Sequence, residues 1–415
     1  MQVLYERCAG LDVHKRTVVA CVRTSRGKEV RTFGTDTRDL LALADWLQKE
    51  GVTHVALEAT GVFWKPIYNV LDGAGPGTGL TLLVVNARHV KAVPGRKTDV
   101  KDAEWLADLL RHGLLKPSFI PDRVQRELQE LVRYRRSLVE ERAREVNRIQ
   151  KGLEGANIKL ARVVSNILGV SGRAMLQALV EGTAGPGDLA ALATPRLTAT
   201  REELEAALEG SMGAHQRHLL AAQLRHIHFL DEQVTALDAE VEARLHPFAD
   251  QLERLDTIPG ISRRGAQELI AAIGVDMGRF PTAGHLASWA KLCPGLNESA
   301  GKRQSGTTGK GNPYRRTTLT EAAWAASRTK HTYLAAQYHR LKARRGAKRA
   351  VIAVAHSILT IVYHILQNGT VYQDLGPTYF DQRSKDATTR RAVKRLEGLG
   401  YTVALQEVPP AGVAA

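Results

Sequence analysis

The sequence is poor in cysteine and in aromatic residues. Its three cysteines, Cys8, Cys21 and Cys293, are widely spaced and form neither a CxxC pair nor another zinc-ligand pattern. This excludes a disulfide-stabilised scaffold and is typical of ordinary thiols in a reducing cytoplasm. Phe, Trp and Tyr together make up 5% of the residues, so we expect a mostly aliphatic core.

We expect no secretory signal peptide and no membrane span, and acidic residues are in the minority. Residues 1–10 contain Glu6 and Arg7 and no apolar h-region, and no apolar run approaches the length of a membrane span. The 43 Asp and Glu are outnumbered by 58 Lys and Arg, which gives a net charge of +15. Such a basic excess favours a polyanionic partner. We therefore expect a cytoplasmic protein that binds nucleic acid and no membrane.

What is present is a long globular chain of mixed character. Its 415 residues, 44% of them hydrophobic, suffice for two or three domains with real cores. We predict an α/β plus all-α protein in four regions. They are an N-terminal α/β domain (1–120), a long helical coiled-coil region (121–250), a helical C-terminal domain (251–375) and a basic tail (376–415).

The N-terminal region has a recognisable order of elements. The alternation of apolar residues predicts three consecutive strands, then helix, strand, short helix, strand and helix. These elements are predicted at residues 9–14, 17–24, 29–34, 37–49, 53–57, 66–71, 80–85 and 100–112. This is the element order of the ribonuclease-H-like (RuvC-like) fold.

Four acids occupy significant places in that order. Asp12 lies inside the first strand, Glu58 ends the fourth, and Asp99 and Asp102 open the last helix on one face. Carboxylates are the ligands that Mg²⁺ prefers, and two such ions can assist phosphoryl transfer. Taken singly, Asp99 and Asp102 could instead cap the helix, and Glu58 could be a surface charge. An acid inside an apolar strand is harder to explain without a partner. An actin-like ATPase also begins with such an Asp, but its Gly-rich phosphate turns are missing here.

The middle region contains two long amphipathic segments. Residues 123–151 and 215–245 carry apolar side chains at helical spacing. They are compatible with an antiparallel or intermolecular coiled coil, or with an ordinary helical bundle. Dimerisation through this region is a hypothesis that light scattering would test.

The C-terminal region combines a glycine turn with a basic surface. Residues 255–262 followed by a helix at 264–273 resemble a helix-hairpin-helix element, whose turn binds DNA phosphate; a turn packed inside the domain is the alternative. Residues 293–306 are rich in Gly and small polar residues, which predicts a loop that leads into a helix starting near Tyr314. Residues 296–350 hold 13 Lys and Arg against two Asp and Glu, a net charge of +11. We expect the DNA-binding face here.

A serine in a basic loop can attack phosphorus and form a covalent phosphoserine link. Ser299 and Ser305 are both candidates. On the residues alone, either is more often a loop hydrogen-bonding residue.

Five motifs occur along the chain in the order LeuAspValHisLys (11–15), LeuGluAlaThrGly (57–61), LysThrAspValLysAspAla (97–103), IleProGlyIle (258–261) and GlnSerGly with LysGlyAsn (304–312). Together they resemble the motifs of the DEDD transposases of the bacterial insertion-sequence one-ten family. The resemblance covers about residues 8–370 in the family's order. It implies a RuvC-like domain joined through a coiled coil to a transposase domain, and a site-specific recombinase guided by a structured bridge RNA.

The resemblance also implies roles for residues. Asp12, Glu58, Asp99 and Asp102 would be the metal-binding tetrad for Mg²⁺, with Mn²⁺ as the alternative. Ser305, followed by a Gly, would be the nucleophile, with Ser299 as the alternative. A tetramer built from two dimers would hold donor and target DNA, with the tetrad of one subunit meeting the serine of another. From charge and position, we expect phosphate contacts from a basic set comprising Lys302, Arg303, Lys310, Arg315 and Arg316.

Two other functions are compatible with the sequence. A RuvC-like Holliday-junction or structure-specific endonuclease would use metal-activated water in place of a serine. A non-catalytic nucleic-acid-binding protein is disfavoured because all four acids are present. The tail beyond residue 376 contains a basic helix, 388–399, which either contacts nucleic acid or is a dispensable appendage.

Overall fold

The structure is a computed structural model that describes residues 2–59, 61–73, 80–86, 102–295, 297–299, 301–309 and 311–406. The side chains of 297–299 and 303–305 lie outside that description. The chain forms two compact units, Met1–Asp122 (unit 1) and Arg123–Ala415 (unit 2). The division falls two residues from the first predicted boundary, and the predicted middle and C-terminal regions both lie in unit 2.

Unit 1 has the predicted order of elements. The strands are β1 Cys8–Val13, β2 Thr17–Thr24, β3 Gly27–Gly34, β4 His54–Glu58 and β5 Thr81–Val85. The helices are α1 Thr37–Lys49, α2 Trp64–Gly73 and α3 Asp102–Arg111. The strands form one sheet in the order β3-β2-β1-β4-β5. β1, β2 and β3 pair antiparallel, whereas β1, β4 and β5 are parallel. This arrangement is compatible with a ribonuclease-H-like domain.

Helices cover both faces of this sheet. Leu11, Val55 and Leu57 on one face share a core with apolar residues of α1 and α2. On the other face, Ala56 packs with Leu106 of α3. β1 and β4 therefore bury residues on both faces of the sheet, as expected for central strands with helices on either side.

The regular structure in the described residues of unit 2 is helical apart from one hairpin. Its helices are α4 Arg123–Gly155, α5 Leu160–Val163, α6 Val170–Glu181, α7 Pro186–Ala191, α8 Arg201–Leu208, α9 Ala214–Leu245, α10 Ala249–Asp256, α11 Arg263–Ile273, α12 Ala283–Trp289, α13 Pro313–Arg328, α14 Tyr333–Arg345, α15 Ala347–Asn368, α16 Tyr379–Arg383 and α17 Lys385–Glu397. The hairpin consists of β6 Asn297–Ser299 and β7 Lys302–Ser305.

The two long helices of unit 2, α4 and α9, pair with each other within the chain. Leu128 near the start of α4 shares a core with Leu245 at the end of α9, whereas Leu153 shares a core with Leu220 near the start of α9. The pair is therefore antiparallel. Arg135, which is only 2% exposed, bridges the pair by donating to Asp238 at 2.9 Å.

Helix α15 contradicts the expectation that no apolar segment is long enough to span a membrane. By length and composition this helix could cross a membrane, contrary to the expectation that no segment would. Its apolar side chains are instead used inside unit 2, where Val354, Ile358 and Val362 are fully buried in the main core. We therefore interpret α15 as the central core helix of this unit.

The predicted glycine turn joins α10 to α11. Gly260 has a φ of +89°. A Cβ there would lie 2.2 Å from the backbone oxygen of Ala322, so the turn packs directly against α13. The described contacts at this glycine are thus those of a turn packed inside the unit, and its predicted role in phosphate binding stays a prediction.

Candidate functional site

Asp12 and Glu58 lie on neighbouring strands at the same edge of the sheet. β1 and β4 are parallel, and their last paired residues are Leu11 and Leu57. Asp12 and Glu58 each follow by one residue, so they occupy equivalent positions on adjacent strands. Neighbouring strands are about 4.8 Å apart, which is close enough for two carboxylates to share a cation.

Both acids are on the sheet face that α3 covers. Side chains alternate along a strand, so Asp12 shares a face with Gly10, and Glu58 with Ala56. A Cβ on Gly10 would lie 2.3 Å from the backbone oxygen of Ala103 in α3. The absence of a side chain at residue 10 thus lets α3 lie directly on β1.

The direction of α3 brings its N-terminus toward the acids. Cys8 donates from Sγ to the backbone oxygen of Ala107 at 3.6 Å, whereas Gly10, further along β1, lies against both Ala103 and Ala107. α3 therefore runs antiparallel to β1. Asp102, its first residue, lies toward the end of β1 that carries Asp12. The positive end of the helix dipole favours anionic groups in this region.

The ligand atoms that these acids offer are of the type that a hard divalent cation binds. Asp12, Glu58 and Asp102 supply only carboxylate oxygens, which Mg²⁺ and Mn²⁺ prefer over soft metals. Asp99, the fourth predicted ligand, lies outside the described residues. Within the part of the chain that the structure describes, no three Asp, Glu, His or Cys residues converge closely enough to hold a metal. The described acids are thus brought to one edge, without forming a closed cage among themselves.

His14 is a neighbour of Asp12 to which the sequence reasoning assigned no role. Its Nε2 lies 3.2 Å from Oδ2 of Asp12, and its side chain is 58% exposed, compared with 19% for Asp12. The sequence spacing of Asp12 and His14 could have indicated this contact, because residues two apart on a strand share a face. A solvent-accessible imidazole in contact with a candidate ligand can orient that carboxylate or carry a proton.

Ion pairs also fix α3 to residues of β2 and β3 that lie at the end of the sheet away from Asp12. Arg23 of β2 contacts Asp108 at 2.6 Å, and Lys28 of β3 contacts Glu104 at 2.6 Å. Burial raises the pKa of both Cys8 and Cys21 to about 11, so these thiols are protonated at neutral pH. Under this part of the sheet the cysteines therefore act as small core residues and not as nucleophiles.

In unit 2, the segment predicted as a loop is largely a β-hairpin. β6 and β7 pair antiparallel, with Ser299 opposite Lys302 beside the turn and Ser305 opposite Asn297 at the other end. The loop prediction was wrong here because small polar residues and Gly301, with a φ of +73°, are also what a tight hairpin requires. Ser299 and Ser305 thus lie at opposite ends of one hairpin.

The basic residues predicted to contact phosphate differ in their surroundings. Lys302 is exposed at the hairpin turn, the side chain of Arg303 is not described, and Lys310 lies outside the described residues. Arg316 donates to the backbone oxygen of Gly309 at 3.3 Å and to Oγ1 of Thr308 at 3.0 Å. It therefore ties the segment after the hairpin to α13.

Among the basic residues of this set whose side chains are described, Arg315 is the most enclosed. Its guanidinium carbon lies 3.6 Å from the ring centroid of Trp289. Burial, together with the neighbouring cation of Arg133, lowers the pKa of Arg315 to about 10. At the start of the same helix, Asn312 caps α13 by accepting from the backbone N–H of Tyr314 at 3.0 Å. The predicted helix start is confirmed to within one residue.

Comparison with known proteins gives a consistent result in both units. A family model of the DEDD IS110 type, described as "Transposase", matches residues 9–158, which include Asp12, Glu58 and Asp102. A second, "Transposase IS116/IS110/IS902 family", matches residues 252–340, which include both serines.

Curated relatives match over most of the chain. "Insertion element IS110 uncharacterized 43.6 kDa protein" of Streptomyces coelicolor is 29% identical over 399 residues, 89% of this chain and 96% of the relative. "Insertion element IS900 uncharacterized 42 kDa protein" of Mycobacterium paratuberculosis is 26% identical, over 73% of this chain and 82% of the relative. "Transposase for insertion sequence element IS1111A" of Coxiella burnetii is 24% identical, over 72% of this chain and 74% of the relative. The chain therefore belongs to the IS116/IS110/IS902 family and is a transposase of an insertion element.

Proposed function

We propose that this transposase is a bridge-RNA-guided, site-specific DNA recombinase that cuts and rejoins DNA through a covalent link to Ser305. The observation that carries the proposal is the position of Asp12 and Glu58. They follow paired residues of neighbouring parallel strands, beneath a helix that begins with Asp102. A carboxylate set at the start of a helix on a mixed sheet suits metal-dependent phosphoryl transfer.

In this proposal Asp12, Glu58, Asp99 and Asp102 hold divalent cations, Mg²⁺ in the first instance and Mn²⁺ as the alternative. The bound cation would supply Lewis-acid stabilisation of the charge that develops on phosphate oxygens. The chain's own contribution is positional. The strand register fixes Asp12 beside Glu58, and α3 brings Asp102 toward the same edge. His14 would orient Asp12 through its 3.2 Å contact.

The proposed chemical step is an exchange of esters at phosphorus. Oγ of Ser305 loses its proton to a base and bonds to the phosphorus, while the bond from that phosphorus to one bridging oxygen breaks. The leaving oxygen takes up a proton and becomes a hydroxyl group. Attack by a hydroxyl of another strand then restores a phosphodiester and frees Ser305. Because one ester replaces another, the strand is rejoined without an external energy source.

The proposed partners are donor DNA, target DNA, a structured guide RNA and further copies of this chain. The family resemblance motivates the RNA and the assembly of two dimers into a tetramer. The net charge of +15 motivates polyanionic partners in general. In the tetramer, the tetrad of one subunit would meet Ser305 of another, in the cytoplasm where chromosome and transcript are both accessible.

The decisive experiment traps the covalent intermediate. The full-length protein, with the non-coding RNA of its element and labelled donor DNA, is incubated with Mg²⁺, denatured and resolved by electrophoresis. We expect a protein–DNA adduct with wild type and with Ser299→Ala, and none with Ser305→Ala. An adduct that depends on Ser299 would transfer the role to that residue. Strand cleavage by Ser305→Ala without any adduct would instead indicate a RuvC-like endonuclease that uses water.

One variant and one omission test the rest of the proposal. Asp12→Asn removes one anionic ligand with little change in shape, and we expect a strong loss of adduct formation. Normal activity of this variant would refute the metal site. Omitting the RNA should abolish cutting at the programmed sequence, and cutting that persists at the same sequence without RNA would refute guidance by a bridge RNA.

A further inference from the structure

Two arginines from different helices meet at the start of α13. Arg315, the third residue of α13, stacks on Trp289, and Arg133 of α4 lies with its guanidinium carbon 5.4 Å from the ring centroid of Tyr314. Both arginines line one small pocket of about 30 Å³, together with Asn312 and Tyr314. The sequence alone does not reveal this pair, because its members are 182 positions apart.

The charge of Arg315 is not compensated within the described part of the chain. There its side chain makes no ion pair and no hydrogen bond, and its Nε is buried without a partner. The charge that acts on it is that of another cation, Arg133, and burial lowers the pKa of both guanidinium groups. Arg133 itself donates to Gln129 at 2.7 Å, which is a neutral partner.

A third arginine beside the same pocket shows the contrast. Arg136 contacts Glu268 at 2.9 Å, Glu321 at 2.6 Å and Glu140 at 3.3 Å. Glu268 is the carboxylate in the pocket wall, and it is occupied by Arg136 and by the hydroxyl of Thr318. The fold thus supplies acids to Arg136 and none to Arg315. The difference between two neighbouring arginines points to an anion from outside the chain.

The helix dipole strengthens this conclusion. The first turn of α13 contains no acidic residue, although acids are favoured there, and it carries Arg315 near the positive end of the dipole. Burial, the like charge of Arg133 and the dipole therefore all disfavour the cation. One bound anion would offset all three effects. A pocket of about 30 Å³ admits roughly two water-sized groups, which matches the non-bridging oxygens of one phosphate.

We propose that Arg133 and Arg315 together bind one phosphodiester group of the DNA strand that is being cut. This inference rests on the proposed function, and it adds Arg133 of α4 to the DNA-binding residues. The choice of DNA follows from position, since Arg315 is ten residues after Ser305 and its neighbour Arg316 holds Thr308 and Gly309. The exposed ring of Tyr314 lies beside Arg133 at the same pocket.

The test measures DNA binding as a function of salt. Binding of the full-length protein to fluorescent donor duplex is followed by anisotropy between 50 and 300 mM KCl, with ~0.9 expected in the log–log slope for each phosphate contact. We expect Arg315→Met and Arg133→Met each to lower the slope by about 1 and the affinity about tenfold. Arg201→Met, which removes the same charge from α8, should leave both values at wild type. Wild-type slopes for both pocket variants would overturn the proposal, as would an effect seen with RNA but not with DNA.

Thermal unfolding separates a binding role from a structural one. Because the cation is uncompensated, Arg315→Met should melt no lower than wild type, and inorganic phosphate should raise the melting temperature of wild type more than that of the variant. A markedly lower melting temperature combined with an unchanged salt slope would make Arg315 a structural stack on Trp289 and overturn the site. Binding does not require Ser305 chemistry. If wild type forms no adduct but both arginine variants still lower the salt slope, only the proposed function is refuted. If wild type forms the adduct and neither variant changes the salt slope, only this site is refuted.

Discussion

The close seating of α3 on β1 makes Gly10→Ala a sharp perturbation of the candidate metal site. A Cβ at residue 10 would lie 2.3 Å from the backbone oxygen of Ala103 and 2.4 Å from the backbone nitrogen of Ala107. Backbone atoms of a helix cannot rotate away as a flexible side chain can. Because ordinary contacts begin near 3.4 Å, α3 must retreat by about 1 Å.

This retreat has a cost in stability and a larger one in activity. Overpacking of a core typically costs about 1–3 kcal/mol. In a unit of this size, that corresponds to a fall in melting temperature of roughly 4–12 °C. α3 also carries Asp102 toward Asp12, and a misplacement of about 1 Å in a catalytic group can reduce the rate about 100-fold. We therefore expect a folded variant that has nearly lost adduct formation.

The assay compares melting temperature by calorimetry with the rate of adduct formation well below the transition. Gly73→Ala is the matched control, since a Cβ at that helix-terminal glycine would meet nothing within 4 Å. It should retain wild-type stability and rate. If Gly10→Ala behaved like this control, α3 would not be seated on β1 as described. If it melted early but reacted normally, α3 would not position the catalytic acids.

Three further predictions concern unit 2. Gly260→Ala should lower the melting temperature, measured by circular dichroism, because its Cβ would lie 2.2 Å from a backbone oxygen of α13 and the φ of +89° disfavours a side chain. Asp238→Ala should cost about 3 kcal/mol in a urea titration because it leaves buried Arg135 without its carboxylate, and a loss below 1 kcal/mol would contradict this. For Asp231, burial raises the pKa, but hydrogen bonds from two arginines outweigh it and hold that pKa below its usual value. Its stabilisation is therefore present above the unfolded pKa of about 3.9 and is lost as pH falls below it. The melting temperature of Asp231→Asn should accordingly lie below that of wild type at pH 7, and the difference should shrink as the pH falls below about 3.9.

Much of unit 1 could be predicted from the sequence because its signals are local. Alternating apolar residues and turn residues predict a strand or a helix without knowledge of its partners. The structure confirmed the order of three strands, helix, strand, helix, strand and helix, with 37–49 matched to the residue. An acid inside an apolar strand likewise singled out Asp12 before any pairing was known. In unit 2, the same local rules failed at 293–306, because the residues of a tight hairpin are also those of a loop.

The tertiary structure alone decided which residues are neighbours. The sequence left open whether α4 and α9 pair within one chain or between chains, and the shared cores of Leu128 with Leu245 and of Leu153 with Leu220 answer this for the chain itself. Charge counting placed Arg315 and Arg316 in one basic run. In the structure, Arg315 is partly buried beside another cation, whereas Arg316 holds the segment after the hairpin.

The sequence by itself thus determined the order of elements in unit 1, the choice of four acids as candidate metal ligands, and the basic character of the C-terminal half. The register that sets Asp12 beside Glu58, and the burial that leaves Arg315 without an acid, were decided only by the fold. The physical reason is the range of the forces involved. Periodicity and turn chemistry act between residues a few positions apart, whereas strand register and desolvation depend on groups that only folding brings together.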